Sequence, residues 1–384
     1  MLSNGATLED IDEFPKPTRD GIDNSNRLIV EELRYNRESN LKEKHEEWKQ
    51  MLTPEQRGVY NEITEAVFNN LGGVFFVYGF GGTGKTFIWK TLSATIRYRD
   101  QIVLNVASSG IASLLLEGGR TAHSRFGIPL NPDEFSVCKI KPKSDLANLV
   151  KEASLVIWDE APMMSRFCFE ALDKSFSDII KNTDNTVFGG KVVVFGGDFR
   201  QVFPVINGAG RAEIVMSSLN ASYLWDHCKV LKLTKNMRLL ANNLSETEAK
   251  EIHEFSDWLL AVGDGRINES NDGVAIIDIP EDLLITNADK PIESITNEIY
   301  GDPKILHEIT DPKFFQGRAI LAPKNEDVNT INEYLLEQLH GQCTFTLQFK
   351  VYNLYMQSIF LLNIQLTYIQ FVFFFSRGKN LSIC

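Results

Sequence analysis

Val74-Phe-Phe-Val-Tyr78 runs directly into Gly79-Phe-Gly-Gly-Thr-Gly-Lys-Thr86, and the reading of this junction organises the rest of the chain. The short apolar run predicts a strand buried on both faces. The turn after it meets the spacing G-x-x-x-x-G-K-[ST] at Gly79, Gly84, Lys85 and Thr86. Gly79, Gly81, Gly82 and Gly84, with Thr83 among them, let the backbone curl so that several N–H groups point at phosphate oxygens. The N-terminus of the following helix adds partial positive charge. Lys85 is expected to reach the β- and γ-phosphates of a nucleotide, and Thr86 to offer its hydroxyl to Mg²⁺. Phe87–Ile96 supplies the helix, with Ile88, Leu92 and Ile96 on one face. Strand, turn and helix in that order separate a phosphate-binding loop from a chance glycine turn.

Working outward, 384 residues at 43% hydrophobic content predict about two or three domains with real cores. A net charge of −12 excludes a protein that coats nucleic acid indiscriminately, though not one with a local basic groove. The cysteines, Cys138, Cys168, Cys228, Cys343 and Cys384, form no C-x-x-C pair and have no histidines at ligand spacing. They read as reduced thiols of an intracellular protein without a metal cluster. The acidic N-terminus has no apolar h-region, so no secretory signal is expected.

In chain order, residues 1–25 read as a disordered lead-in and 26–51 as a charged helical segment. Leu52-Thr-Pro-Glu-Gln56 marks a helix start, with Thr53 as N-cap and Pro54 in the first turn. Gln56 can offer donor and acceptor to an adenine edge, or serve as a capping or surface glutamine. Ile102–Ala107 reads as a strand followed by Ser108-Ser-Gly110. Gly118–Gly127 reads as a donor-rich loop with one aromatic, Phe126, suited to a phosphodiester backbone and one stacked base. Leu155-Val-Ile-Trp-Asp-Glu160 is a buried-type strand ending in two carboxylates. Asp159 is expected in the Mg²⁺ shell, and Glu160 beside the attacking water. Lys191–Phe195 delivers Gly196-Gly-Asp-Phe-Arg-Gln201 to the ligand edge of the sheet, with Gln201 as a phosphate sensor and Arg200 on phosphate or nucleic acid. Val230–Thr234 is a further strand, and Arg238 beyond it can reach the γ-phosphate and stabilise transition-state charge, although pattern alone more often makes such a residue a surface arginine. Arg318–Pro323 and the periodic stretch Glu326–Leu339 read as the opening strand and helix of a second sheet domain. Val351–Phe375 carries no charge but holds five Asn and Gln side chains, at Asn353, Gln357, Asn363, Gln365 and Gln370. Such a segment makes a poor membrane span, and a foreign or mis-spliced tail or an aggregation-prone strand are the competing readings.

Together, Leu52-Thr-x-Glu-Gln56, the glycine loop, Ala107-Ser-Ser-Gly-Ile-Ala112, Gly118-Gly-Arg-Thr-Ala-His-Ser124, Trp158-Asp-Glu-Ala161 and Gly196-Gly-Asp-Phe-Arg-Gln201 closely resemble the Pif-one-like DNA helicases, RecD relatives in the 5′-to-3′ branch of superfamily one. Arg27-Leu-Ile-x-Glu-Glu-Leu33 further resembles the helicase region of plant Helitron proteins. The resemblance implies an α/β fold: a P-loop NTPase (RecA-like) parallel sheet with flanking helices, plus an incomplete second RecA-like domain. It divides the chain into motor domain 1A at 52–240, a helical or irregular connector at 241–318, the start of domain 2A at 319–341 and an atypical apolar tail at 342–384. By the same resemblance Gln56 contacts adenine and Gly79, Gly81, Gly82, Thr83, Gly84, Lys85 and Thr86 cradle the phosphates. Thr86 and Asp159 hold Mg²⁺, and Lys85, Asp159, Glu160, Gln201 and Arg238 are catalytic. Ser109, Gly110, His123 and Ser124 lie on a single-stranded DNA track. The implied activity is ATP-driven translocation and unwinding in nuclear DNA repair, recombination and telomere maintenance. The partners are single-stranded and tailed duplex DNA, with neither an obligate protein partner nor a membrane.

One departure sets a second expectation. The family's Thr-x-x-Lys-x-Gln-Gly segment and late arginine motif are not found here, so the chain is expected to be truncated and weak in unwinding. The alternative is an ATP- and single-strand-binding module that does not translocate. A P-loop ATPase acting on proteins is a third possibility, distinguished by activity independent of DNA.

Overall fold

The computed structural model describes residues 26–37, 40–181, 186–201, 203–206, 208–237 and 246–267, and less continuously 275–338 and 382–383. The expectations for the 1–25 lead-in, for Arg238 and for the 342–384 tail, its last strand pair apart, lie outside the described residues. The chain divides at Leu240/Ala241 into two compact units.

The first unit is built on a six-stranded sheet: β1 (Gly73–Tyr78), β2 (Ile102–Ala107), β3 (Arg120–Thr121), β4 (Ala153–Asp159), β5 (Val192–Gly197) and β6 (Cys228–Lys232), in the order β3-β2-β4-β5-β1-β6. Every pairing is parallel, with Phe76 opposite Phe195 on one side of β1 and Val230 on the other. The central strands are buried at nearly every position and mostly apolar because both faces are covered. Alternation then sorts the side chains. Val74 and Phe76 join Val156, Trp158, Val193 and Phe195 on one face. Phe75 and Val77 join Leu155, Ile157 and Val194 on the other.

That second face is covered by α3 (Pro54–Phe68) and α4 (Lys85–Arg97), through Val59, Ile63, Val67, Ile88, Leu92 and Ile96. The first is covered by α7 (Asp145–Glu152) and α8 (Arg166–Ile180), through Leu149, Val150, Phe169, Leu172 and Phe176. Short helices α5 (Gly110–Leu114), α6 (Ala122–Phe126) and α9 (Arg211–Met216) sit between strands. The charged segment 26–51 is a helix pair, α1 (Arg27–Tyr35) and α2 (Leu41–Met51). Each fully buried aromatic of this core contributes about 1.5–3 kcal/mol. Parallel pairing carries the chain exits of β1, β2, β4 and β5 to one edge of the sheet.

In the second unit α10 (Glu246–Gly263), α11 (Pro291–Tyr300) and α12 (Asn325–Gln338) are the main helices, and Ile295, Tyr300, Leu306, Ile320 and Ile331 form a small core. The expected strand at Arg318–Pro323 is not formed: the described residues 318–322 belong to no sheet. An apolar run becomes a strand only when a neighbour pairs its N–H and C=O groups. Among the described residues of this unit, strand pairing is limited to β7 (Ala275–Ile276) with β8 (Ser382–Ile383).

Candidate functional site

The glycine loop is held in its curled form by the protein itself. Thr53 caps α3: its hydroxyl accepts from the Gln56 N–H at 3.4 Å, and Gln56 Oε1 accepts from the Thr53 N–H at 3.1 Å. The same amide then donates from Nε2 to the Thr83 carbonyl at 3.1 Å. Lys85 Nζ donates to the Gly79 carbonyl at 2.5 Å, the Met237 N–H to the Gly82 carbonyl at 2.8 Å, and the Thr83 hydroxyl to the Phe80 carbonyl at 2.9 Å. Gln56 is therefore neither a surface nor a merely capping residue. Only 2% exposed, it ties the start of α3 to the loop, a role that spacing alone did not show.

Gly84 is the position where glycine is required. Its φ is +84°, and a Cβ there would lie 2.4 Å from Gln56 Nε2. Gly84 also begins α4 with no side-chain cap, which leaves first-turn N–H groups without a side-chain acceptor. At Gly81 a Cβ would meet nothing within 4 Å. An uncapped helix N-terminus beside an open glycine turn, with the buried Lys85 ammonium in it, fits a phosphate group.

The strand β4 delivers Asp159 and Glu160 to the same edge. Asp159 is 3% exposed, and its Oδ1 has no hydrogen-bond partner among the described atoms. Burial pushes its carboxyl above the usual range, and the nearby Lys85 ammonium opposes the rise. Glu160 is pushed up to about 7, first by burial and then by the Asp159 and Asp198 carboxylates, again against Lys85. Its Oε2 is also without a partner, and its backbone sits in the left-handed region at φ +53°. Two buried carboxylate oxygens left unsatisfied near a lysine form the donor set a hard divalent cation takes. Asp159 fits Mg²⁺ on that ground, and Thr86 stands in the first turn of α4, next in sequence to Lys85.

Sequence reasoning passed over three neighbours of this cluster. Asp198 is 4% exposed and adds to the negative field on Glu160. Its place at the end of β5 was legible, but its inward orientation was not. The Trp89 ring lies against Gly196 beside Asp159, such that a Cβ on Gly196 would lie 2.3 Å from the indole. Glu55 accepts from the Thr234 N–H at 3.0 Å and hydroxyl at 2.5 Å, which anchors the segment leading to Met237.

Gln201 is exposed just beyond β5, with its N–H on the Asp198 carbonyl at 3.0 Å. Arg200 is directed back to Asp198 at 3.7 Å and over the Tyr78 ring at 5.4 Å, contacts that sequence spacing did not show. Ser109 caps α5, accepting from the Ala112 N–H at 3.1 Å, and Gly110 opens that helix. His123 and Ser124 lie on α6, which follows β3, and β3 pairs with the end of β2 through Ala107 and Thr121. The four expected track residues therefore share one end of neighbouring strands. Burial lowers the His123 pKa.

The donor-rich loop expected at Gly118–Gly127 is instead strand β3 followed by helix α6. Its aromatic, Phe126, is fully buried 5.6 Å from Phe176 and offers no face to a base. Arg125 is buried as well, paired with Glu32. The reason is amphipathic: Ala122 and Phe126 fall one turn apart and take the core side of the helix.

Comparison with known proteins agrees with this geometry. A family model described as PIF1-like helicase matches residues 51–273. The ATP-dependent DNA helicase PIF1 of Danio rerio is 28% identical over 221 residues, covering 57% of this chain and 31% of that protein. The ATP-dependent DNA helicase Pif1 of a Psychrobacter species is 30% identical over 276 residues, covering 70% of this chain and 35% of that protein. The chain thus spans about a third of the length of these curated relatives. Among solved structures, the Pif1 helicase from Bacteroides in complex with ADP-AlF3 and ssDNA shares the fold, with a TM-score of 0.51 and 21% identity over 76% of this chain and 58% of that one. The residues behind the Helitron likeness, Arg27–Leu33, precede the matched stretch. With the phosphate loop, the carboxylate pair and the parallel sheet all inside the stretch that the family model covers, this chain belongs to the PIF1-like helicases.

Proposed function

We propose that this chain is the nucleotide-binding motor unit of a DNA helicase, which couples ATP hydrolysis to movement along single-stranded DNA and to duplex separation. The observation that supports this reading best is the convergence of Lys85, Asp159 and Glu160 at one edge of the sheet. Asp159 Oδ1 and Glu160 Oε2 are buried there without close hydrogen-bond partners among the described atoms, the Trp89 indole being the neutral group turned toward Asp159. Lys85 exchanges its bond to the Gly79 carbonyl for a phosphate oxygen, and the N–H groups that open α4 face the same charge. Thr86 and Asp159 would hold Mg²⁺, which would supply charge neutralisation at the phosphates. Glu160, titrating near neutrality, orients the attacking water and takes its proton. Gln201 reads the terminal phosphate, and Arg238 stabilises the charge that develops on it. Ser109, Gly110, His123 and Ser124 contact the single strand, and a tailed duplex is the unwinding substrate. We assign no obligate protein partner. The cellular setting, DNA repair, recombination and telomere maintenance in the nucleus, rests on family membership alone.

The test is ATP turnover by residues 1–384 with and without single-stranded DNA, followed by strand displacement on a tailed duplex. Lys85→Ala is expected to abolish turnover, and single-stranded DNA to stimulate it in the parent. Turnover that survives Lys85→Ala, or that ignores DNA, refutes the proposal. A second reading, ATP- and single-strand binding without unwinding, draws support from residues 318–322, which stand outside any sheet. Stimulated turnover without strand displacement would select it.

A further inference from the structure

Helix α1 lies before the stretch matched by the family model, yet it grips the segment that carries His123 and Ser124 at three points. At the entry, the Tyr35 ring lies against Gly118, where a Cβ would be 2.9 Å from Cε2, and the Arg97 guanidinium covers the same ring at 4.5 Å. In the middle, Glu31 pairs with Arg120 of β3 at 3.6 Å. At the far end, Glu32 pairs with Arg125 of α6, with both side chains almost completely buried. Glu32 meets the Arg125 guanidinium at Nη2, while Nε has no hydrogen-bond partner among the described atoms, so Glu32 is the carboxylate set against this buried cation. Leu28, Ile29 and Leu33 seat α1 on the core beneath, and the Asn26 amide donates to the Asp145 carbonyl at 2.7 Å.

We infer that α1 is a brace for the single-strand track, with Glu32 as a positioning residue that sets α6 through Arg125. α6 is only five residues long, so its orientation depends on tertiary contacts: Ala122 and Phe126 in the core and Arg125 on Glu32. Without the Glu32 carboxylate, a buried guanidinium would be left uncompensated, and the least costly relief is for α6 to turn Arg125 toward water. That movement carries His123 and Ser124 with it. The P-loop and the carboxylates of β4 make none of these contacts, so nucleotide binding should be spared.

The inference rests on the proposed DNA track, so its test has one readout that uses DNA and two that do not. The variants are Glu32→Gln, which keeps shape and removes charge, and Tyr35→Ala, a milder change at a partly exposed grip that keeps the test decisive should Glu32→Gln fail to fold. In either folded variant, affinity for a fluorescent single-stranded oligonucleotide is expected to fall about tenfold, the effect of ~1.4 kcal/mol of lost positioning. Affinity for a fluorescent ADP analogue should stay within about twofold. Amide hydrogen exchange should rise over 120–126 and stay constant over 85–90, the end of α4 that makes no contact with Tyr35 or Glu32. Unchanged exchange over 120–126 overturns the brace, as do unchanged DNA affinity and a parallel loss of both affinities. If the parent itself binds no single-stranded DNA, the DNA reading of the track fails, and the exchange measurement alone decides the brace.

Discussion

Glu160 offers the sharpest test because one substitution should move stability and turnover in opposite directions. Its carboxyl is held at about 7 against an ordinary value of 4.5, chiefly by burial and then by the Asp159 and Asp198 charges. A carboxyl raised in the folded state destabilises the fold as pH rises: the native state resists ionisation that the unfolded chain accepts from its ordinary pKa upward. The contribution is neutral below about pH 4.5 and reaches its full cost above about pH 7. At 1.36 kcal/mol per tenfold, the full cost is on the order of 3 kcal/mol, and at pH 5.5 about 1 kcal/mol. Glu160→Gln keeps the shape and the left-handed backbone but removes the charge. Without nucleotide or Mg²⁺, the variant should melt roughly 6–12 °C above the parent at pH 8, from about 2–4 °C per kcal/mol for a unit of this size. The gap should shrink by more than half at pH 5.5. The same variant should bind nucleotide and fail to hydrolyse it. Equal melting temperatures at pH 8, or a gap that does not change with pH, would refute the argument that burial and like charge define this residue.

Two further outcomes concern the loop, and a third concerns Glu160. Gln56→Ala removes the capping acceptor and the donor to the Thr83 carbonyl together; thermal unfolding should report a loss of about 1–3 kcal/mol, and nucleotide titration a weaker affinity. Gly84→Ala meets Gln56 at 2.4 Å and a left-handed backbone; it should cost at least the ~1–2 kcal/mol of left-handed strain and weaken nucleotide binding more than Gln56→Ala does, as read by a fluorescent ADP analogue. In the parent, turnover measured against pH should climb through about 7 as Glu160 gains its base form, whereas a profile flat from pH 6 to 8 would assign proton transfer elsewhere.

Much of this protein is written in its local sequence. The strand at Val74–Tyr78, the glycine spacing, the Thr53 cap and the acidic end of β4 are short-range patterns, and each depends on neighbours within about one turn or one strand. They suffice for the parallel α/β fold and for the residues around the phosphates. What tertiary structure alone decided is which way polar side chains face. Arg125 and Phe126 looked like donor and stacking surface in a loop, and the packing of α6 on the core turned both inward. Arg200 turned back to Asp198, and Gln56 became a tie between α3 and the loop. The strand expected at Arg318–Pro323 found no pairing partner among the described residues. The rise of Glu160 to about 7 needs Asp159, Asp198 and burial together, and Asp198 reaches it from a different strand. Motif spacing encodes the backbone path and the residue types chemistry needs, but long-range contacts set the dielectric and the charges around each group, and those determine what the group can do.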